Sequence, residues 1–114
     1  MIYELDKVDL ISSDKNEPSK LCLGISDDVQ WEHNIEEHIL LLQEKLNNYV
    51  TFIINKGYES VVNGDVFDSF AINIYFACVP PQTAINFLQA YQDHLFSDNL
   101  PIQLTCEVVE PNYE

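Results

Sequence analysis

The residues best suited to chemistry lie in one short stretch of the chain. His33, Glu36, Glu37 and His38 are all types that bind metals. The two histidines lie about 140° apart around a helix, however, so they cannot easily share one ion. His33 and Glu37 share a helical face and form at most a weak two-ligand site. The stretch otherwise fits a solvated, acidic first turn with Asn34 and Glu37 as a capping box, and we predict neither metal nor cofactor.

Paired carboxylates are a second candidate for chemistry. Asp27 with Asp28, and Asp65 with Asp68, could in principle act as general acid and base. With 19 acidic residues such pairs arise by chance, and neither pair is accompanied by a nucleophile, a histidine base or a glycine-rich phosphate loop. We interpret these acids as solvated loop charges and predict that the protein is not an enzyme.

The charge balance restricts the choice of partner. Five lysines and no arginine oppose the acids, giving a net charge of −14 and a pI near 4.2. Such a chain repels phosphate backbones and anionic lipid, so we expect no binding to nucleic acid or to a membrane surface. No apolar run approaches the roughly 18 residues that span a bilayer. The charge therefore predicts a basic protein partner.

Size and cysteine content indicate one cytoplasmic domain. The 114 residues are 46% hydrophobic, enough for a single core over residues 1–114. Cys22, Cys78 and Cys106 are odd in number and lack CxxC spacing, so they predict neither a disulfide framework nor a zinc site. We interpret them as structural thiols in a reducing compartment, two of them in the apolar phase of strands.

Two stretches have the apolar period of a helix. The first runs over 34–56, with Gly57 at the position of a C-terminal cap, and its stripe is wide enough for burial on more than one side. The second runs over 81–96 and starts at the Pro80-Pro81 pair, because proline suits a first helical turn.

Four stretches have the signature of strands. Residues 3–12 and 20–26 flank a polar turn and predict a hairpin, while 70–78 and 102–108 alternate between apolar and polar positions. The order β-β-α-β-α-β predicts an α+β two-layer sandwich, with a four-stranded mixed sheet and two helices on one face. The predicted core residues are Leu23, Ile25, Ile39, Leu42, Leu46, Ile53, Ile72, Ile74, Phe76, Leu88, Leu104 and Cys106.

Trp31 has two interpretations. In an acidic connection it could anchor a partner, because tryptophan is enriched at interface hot spots. It could equally pack on the first turn of the long helix, and we favour packing.

Several segments resemble a family of small, uncharacterised acidic bacterial proteins. They are Val8-Asp9-Leu10-Ile11, Leu21-Cys22-Leu23-Gly24-Ile25-Ser26-Asp27, Trp31 and the run from Glu36 to Asn47. The resemblance is close over 8–56, weaker over 70–109, and departs at 57–69. It implies a fold but no catalytic residues. In composition alone the chain is similar to immunity proteins of bacterial toxin systems.

These observations lead to two functional hypotheses. The leading one is a cytoplasmic immunity protein, of the kind used in contact-dependent growth inhibition, that covers the positive active site of a toxin domain such as a nuclease. The alternative is a regulatory or housekeeping module that self-associates into a homo-oligomer. For the first, the acidic loop over 57–69 is the preferred contact, because loops carry recognition on rigid scaffolds. The predicted partner-binding residues are Asp27, Asp28, Trp31, Glu32, Glu59, Asp65 and Asp68.

Overall fold

The order of elements in the structure is the predicted one. A computed structural model describes residues 8–14, 16–17, 19–31, 34–57 and 67–109. No helix in these ranges is long and apolar enough to cross a membrane. The elements are β1 (Leu10–Ser13), β2 (Lys20–Asp27), α1 (Ile35–Ile54), β3 (Ser69–Phe76), α2 (Gln82–Ser97) and β4 (Ile102–Val108).

The four strands form one mixed sheet in the order β1-β2-β3-β4. β1 pairs antiparallel with β2 because the turn between them is short, whereas β2–β3 and β3–β4 are parallel because a helix connects each pair. The predicted α+β fold is confirmed. As a result, β2, β3 and β4 all end at the same edge of the sheet.

One face of the sheet carries the core. Alternate residues of β2 and β3 lie side by side, for example Leu23 beside Ile72 and Ile25 beside Ile74, and both helices pack over them. The opposite face is only partly covered in the described residues. The predicted core residues that are buried are Leu23, Ile25, Leu42, Leu46, Ile53, Ile72, Ile74, Phe76 and Leu88.

Three core predictions differ from the structure. Ile39 and Leu104 are half-buried at the margin of the core. Cys106 is exposed, so its prediction as a core residue was wrong. The reason is its position on β4, an edge strand whose second half leaves the cover of α2.

The ends of the helices follow backbone geometry more than side-chain capping. Asn34 has left-handed backbone angles and its side chain makes no capping bond, so the predicted capping box was wrong. A capping side chain requires extended backbone at that residue. At the other end of α1, Lys56 rather than Gly57 takes the left-handed conformation. A Cβ at Gly57 would lie 2.6 Å from the Phe52 ring, which explains a glycine there.

Candidate functional site

The carboxyl ends of the parallel strands and the start of α1 meet at one edge of the sheet. Ligands of open sheets with helical connections bind beyond the carboxyl ends of strands, where helices begin. Asp27 closes β2, Phe76 closes β3, and the first turns of α1 lie over this edge. Any chemistry built on the fold is therefore expected here.

Asp27 and His38 form a buried polar pair at this edge. Asp27 Oδ2 lies 2.7 Å from His38 Nε2, and the Val29 N–H donates to Asp27 Oδ1 at 3.1 Å. Asp27 is 1% exposed and His38 3%. Burial raises the pKa of the Asp27 carboxyl, while the hydrogen bond and charge of His38 oppose that rise. The pair joins the end of β2 to the start of α1.

Trp31 packs directly on this pair. Its ring stacks on the His38 ring, with the ring centroids 3.5 Å apart. The ring of Phe76 also lies against it, with the centroids 5.8 Å apart. The predicted packing of Trp31 on the beginning of the long helix is confirmed. Within the described residues, Trp31 Nε1 and His38 Nδ1 are buried without a hydrogen-bond partner.

A second polar cluster lies two and three turns further along α1, at Lys45 and Tyr49. The Lys45 ammonium donates to Asp9 Oδ1 at 3.1 Å, and the Ser26 N–H donates to Asp9 Oδ2 at 3.0 Å. The Tyr49 hydroxyl donates to the Gly24 carbonyl at 2.5 Å and accepts from the Asp9 N–H at 2.8 Å. Lys45 is 0% exposed. The cluster joins the start of β1 to β2 and α1.

The environment of this second cluster sets its ionisation. Burial by itself disfavours the Asp9 carboxylate, but hydrogen bonds, among them those from the Ser26 N–H and Lys45, hold its pKa below the ordinary value. Burial also raises the pKa of Tyr49 far above the ordinary value. The Asp9 carboxyl is therefore ionised and the Tyr49 hydroxyl is neutral at physiological pH.

Among the described residues, no further catalytic group joins either cluster. A histidine–carboxylate pair needs a nucleophile on its free ring nitrogen, and no described residue bonds His38 Nδ1. The described residues also contain no group of three or more metal-ligand side chains. The geometry accounts for both clusters as links between strands and helix.

Two of the predicted contact residues are thus internal. The interpretation of Asp27 as a solvated loop acid was wrong, because it is the last residue of β2 and faces the core side of the sheet. Trp31 is 7% exposed and cannot reach a partner in this conformation. Asp28, the next residue along, is exposed. Glu32 lies outside the described residues.

The outer face of α1 carries the exposed charge at this edge. We use the term outer α1 surface for Glu36, Glu37, Leu40 and Glu44, all of them exposed. Leu40 is 58% exposed and lies one turn from both Glu36 and Glu44. With Asn34 and Ile35, the first three line a surface hollow of about 490 Å³. The result is an apolar side chain framed by carboxylates.

Only Asp68 among the predicted loop acids lies within the described residues, and it is at the other end of the sheet from the outer α1 surface. Glu59 and Asp65 are outside the described residues. Asp68 is exposed just before β3, where its N–H donates to the Ser19 carbonyl at 3.0 Å. β3 has 8 residues and spans about 25 Å, so Asp68 and the outer α1 surface are separated by the length of a strand. Asp68 and the outer α1 surface are therefore not part of one surface.

Comparison with known proteins decides the family. A family model matches residues 1–110. The chain belongs to the family of unknown function DUF6572. The match includes 57–69, where the sequence departs from the pattern we expected. No curated protein and no solved structure matches the chain.

For this member of DUF6572, sequence reasoning missed the paired polar side chains of the interior. His38 and Lys45 lie in phase with Leu42, Leu46 and Tyr49 on the buried stripe of α1. A charged side chain in such a stripe must have a buried partner, since an unpaired charge is costly there. That signal could have identified both residues, but not Asp9 or Asp27 as their partners.

Proposed function

We propose that this protein is a non-enzymatic binding protein that neutralises a basic toxin domain, of which a nuclease is the favoured kind. A nuclease must be positive where it holds phosphates, so a carboxylate-rich surface can cover that site and be steered to it. The proposal concerns binding alone and assigns no reaction to the protein.

One observation carries the proposal: the outer α1 surface presents carboxylates around an exposed leucine, while the only lysine of the helix points inward. Lys45 is fully buried and paired with Asp9, so it does not dilute the field outside. Leu40 offers the apolar contact that charge alone does not supply. Leu40 therefore has the role of apolar anchor that the sequence analysis considered for Trp31.

The charge of the partner follows from the same surface. Glu36, Glu37 and Glu44 are exposed on one helix, and Asp28 is exposed just beyond the end of β2. A basic surface would gain from all of them, whereas an acidic or neutral one would have to desolvate them without compensation. The loop acids Glu59, Asp65 and Asp68 remain a second candidate contact for the same partner.

Capture experiments with matched variants test the proposal. Tagged wild-type protein is incubated with lysate of the source cells and eluted with rising salt, and retained proteins are identified by mass spectrometry. The matched baits are Glu36→Lys with Glu37→Lys and Asp65→Lys with Asp68→Lys, which have equal net charge. Thermal melts check that both are folded.

We expect a basic protein that wild type retains at low salt and releases at high salt, and that the first double variant does not retain. If only Asp65→Lys with Asp68→Lys failed to retain the partner, the contact would lie on the loop instead. Retention of an acidic or neutral partner, or binding insensitive to salt, would refute the electrostatic mechanism.

A self-associating module is the second candidate function. The sheet face opposite the helices is only partly covered in the described residues, and Leu10 is exposed on it. Sedimentation at two salt concentrations distinguishes the candidates. A homodimer that persists at both, in the absence of any captured basic partner, would favour self-association.

A further inference from the structure

The outer edge of β4 is partly free to pair with another strand. The Val109 N–H donates to the Phe76 carbonyl at 2.8 Å, and the Phe70 N–H donates to the Pro101 carbonyl at 2.9 Å. Odd-numbered residues of this strand therefore direct their backbone groups toward β3. The N–H and C=O groups of Leu104, Cys106 and the other even-numbered residues point away from the sheet.

A glutamine of α2 satisfies the first part of this edge. Gln92 Nε2 donates to the Ile102 carbonyl at 3.0 Å, and the Leu104 N–H donates to Gln92 Oε1 at 2.5 Å. The side-chain amide thus occupies the place that a peptide group of a fifth strand would take. Such covering is one way in which proteins protect a sheet edge.

The second part of the edge lacks this protection. Among the described residues, no hydrogen bond reaches the outward groups of Cys106 or Val108. The side chains of both residues are exposed, Val108 to 42%. Within the part of the chain that the structure describes, the edge is therefore open from Cys106 to Val108.

A groove runs beside this open part. It has a volume of about 290 Å³ and lies between α2 and β4, with Ile85, Leu88 and Leu104 among its walls. Asp93 also lines it, and Glu107 is exposed on the opposite face of β4. A strand added at this edge would direct one set of alternate side chains into the groove and the other set toward Glu107.

We propose that the open edge of β4, from the Leu104 carbonyl to Val108, binds an extended peptide segment of another protein as an added strand. Its apolar side chains enter the groove, and lysine or arginine at alternate positions lies beside Glu107. In this mode main-chain hydrogen bonds provide affinity and the side-chain pockets provide specificity. The site is separate from the outer α1 surface and does not depend on the function proposed above.

Charge decides between a peptide and a second copy of this chain. Pairing two copies through β4 would bring Asp93 and Glu107 of each close to those of the other, between molecules of net charge −14. A basic segment meets the same carboxylates favourably. The occupant is therefore a segment that alternates apolar and basic residues.

The probe is a short acetylated peptide of alternating valine and lysine with a fluorescent label, and binding is measured by anisotropy. Wild-type protein should bind it, and Glu107→Gln should weaken binding severalfold. Glu36→Gln, with the same change in net charge on the outer α1 surface, should bind as wild type. Equal loss with both variants would mean non-specific attraction and would overturn the proposal.

The backbone hydrogen bonds are tested separately. Cys106→Pro removes one outward N–H at a position where an edge strand tolerates proline, and it should abolish binding while Cys106→Ala preserves it. If Cys106→Pro fails to fold, the same peptide with N-methyl groups on alternate residues is tested against wild type and should not bind. Undiminished binding of the methylated peptide would refute strand addition. A homodimer that Cys106→Ala forms and Cys106→Pro does not would make a second copy the occupant, and our assignment of a peptide would be wrong.

Discussion

The two faces of α1 use charge in opposite ways. Its inner face carries His38, Lys45 and Tyr49, each buried and bonded to β2 or to Asp9, the residue before β1. Its outer face carries Glu36 and Glu37, both exposed. A single helix therefore holds charge that builds the fold and charge that is available to a partner.

The difference follows from the solvent around each charge. Water solvates an exposed carboxylate at little cost, whereas a buried charge loses that solvation and must regain it from fixed groups. The interior pairs should consequently be sensitive to mutation and insensitive to salt. The outer acids should contribute little to stability when mutated but should be sensitive to salt.

The largest effect is expected from Lys45→Met. Methionine fills the space of the lysine stem but removes the ammonium that donates to Asp9 Oδ1 at 3.1 Å, and breaking a buried ion pair should cost about 3–5 kcal/mol of unfolding free energy. Lys56→Met is the matched control, because Lys56 is exposed, and it should change stability by less than about 0.5 kcal/mol. Urea denaturation measures both. Equal effects of the two variants would mean that the interior pair contributes nothing.

A smaller effect is expected from His38→Phe. Phenylalanine preserves the stack on Trp31 but removes the hydrogen bond to Asp27, which should cost about 1–3 kcal/mol at pH 7. The matched control is His94→Phe, at an exposed histidine whose contact is an i,i+4 pair with Asp98 at 3.3 Å. Its cost should be below about 0.5 kcal/mol.

The cost of His38→Phe should also depend on pH. Burial raises the pKa of Asp27, so the folded protein binds that proton more tightly than the unfolded chain does. Without His38 to oppose it, the pKa of Asp27 rises further. The penalty is then present in full at neutral pH and is relieved as the pH falls toward the raised pKa. A cost that grew with falling pH would contradict this account of the pair.

The two faces of α1 also show how much of the structure could be predicted from the sequence. Apolar residues at spacings of three and four predicted the starts of α1 and α2 to within one residue, and apolar–polar alternation predicted β3. Both patterns are visible in the sequence because each reflects burial of one face of the element. Burial of Lys45 was visible in principle from its phase. Its partner Asp9 lies 36 positions away, and pairing over such a distance depends on the register of strands and helix, which no local pattern encodes.

The same limit explains the errors at the site. Asp27 belongs to a run of polar residues, but β2 extends through it, and its phase with Leu23 and Ile25 directs it inward. Cys106 has the phase of a core residue, but the phase does not reveal how far α2 extends over β4. The outer α1 surface was missed because its acids fitted an ordinary first helical turn.

The smallest effect on stability is expected from salt. Repulsion among the exposed acids opposes folding at low ionic strength, so sodium chloride should raise Tm by a few degrees, as about 1 kcal/mol would in a domain of this size. The rise should be the same in Lys45→Met, since buried pairs are screened little. A Tm that fell with salt would mean that the outer acids are paired or hold a cation.

The most direct test of the central claim is the association rate with the captured basic partner, measured by stopped-flow at low and high salt. For wild type the rate should be fast at low salt and fall steeply as salt is added. Glu36→Lys with Glu37→Lys should slow association about tenfold at low salt and flatten the salt dependence, whereas Asp65→Lys with Asp68→Lys, equal in net charge, should change it much less. An association rate that neither variant alters would contradict the claim that the acidic exterior of α1 recognises the partner.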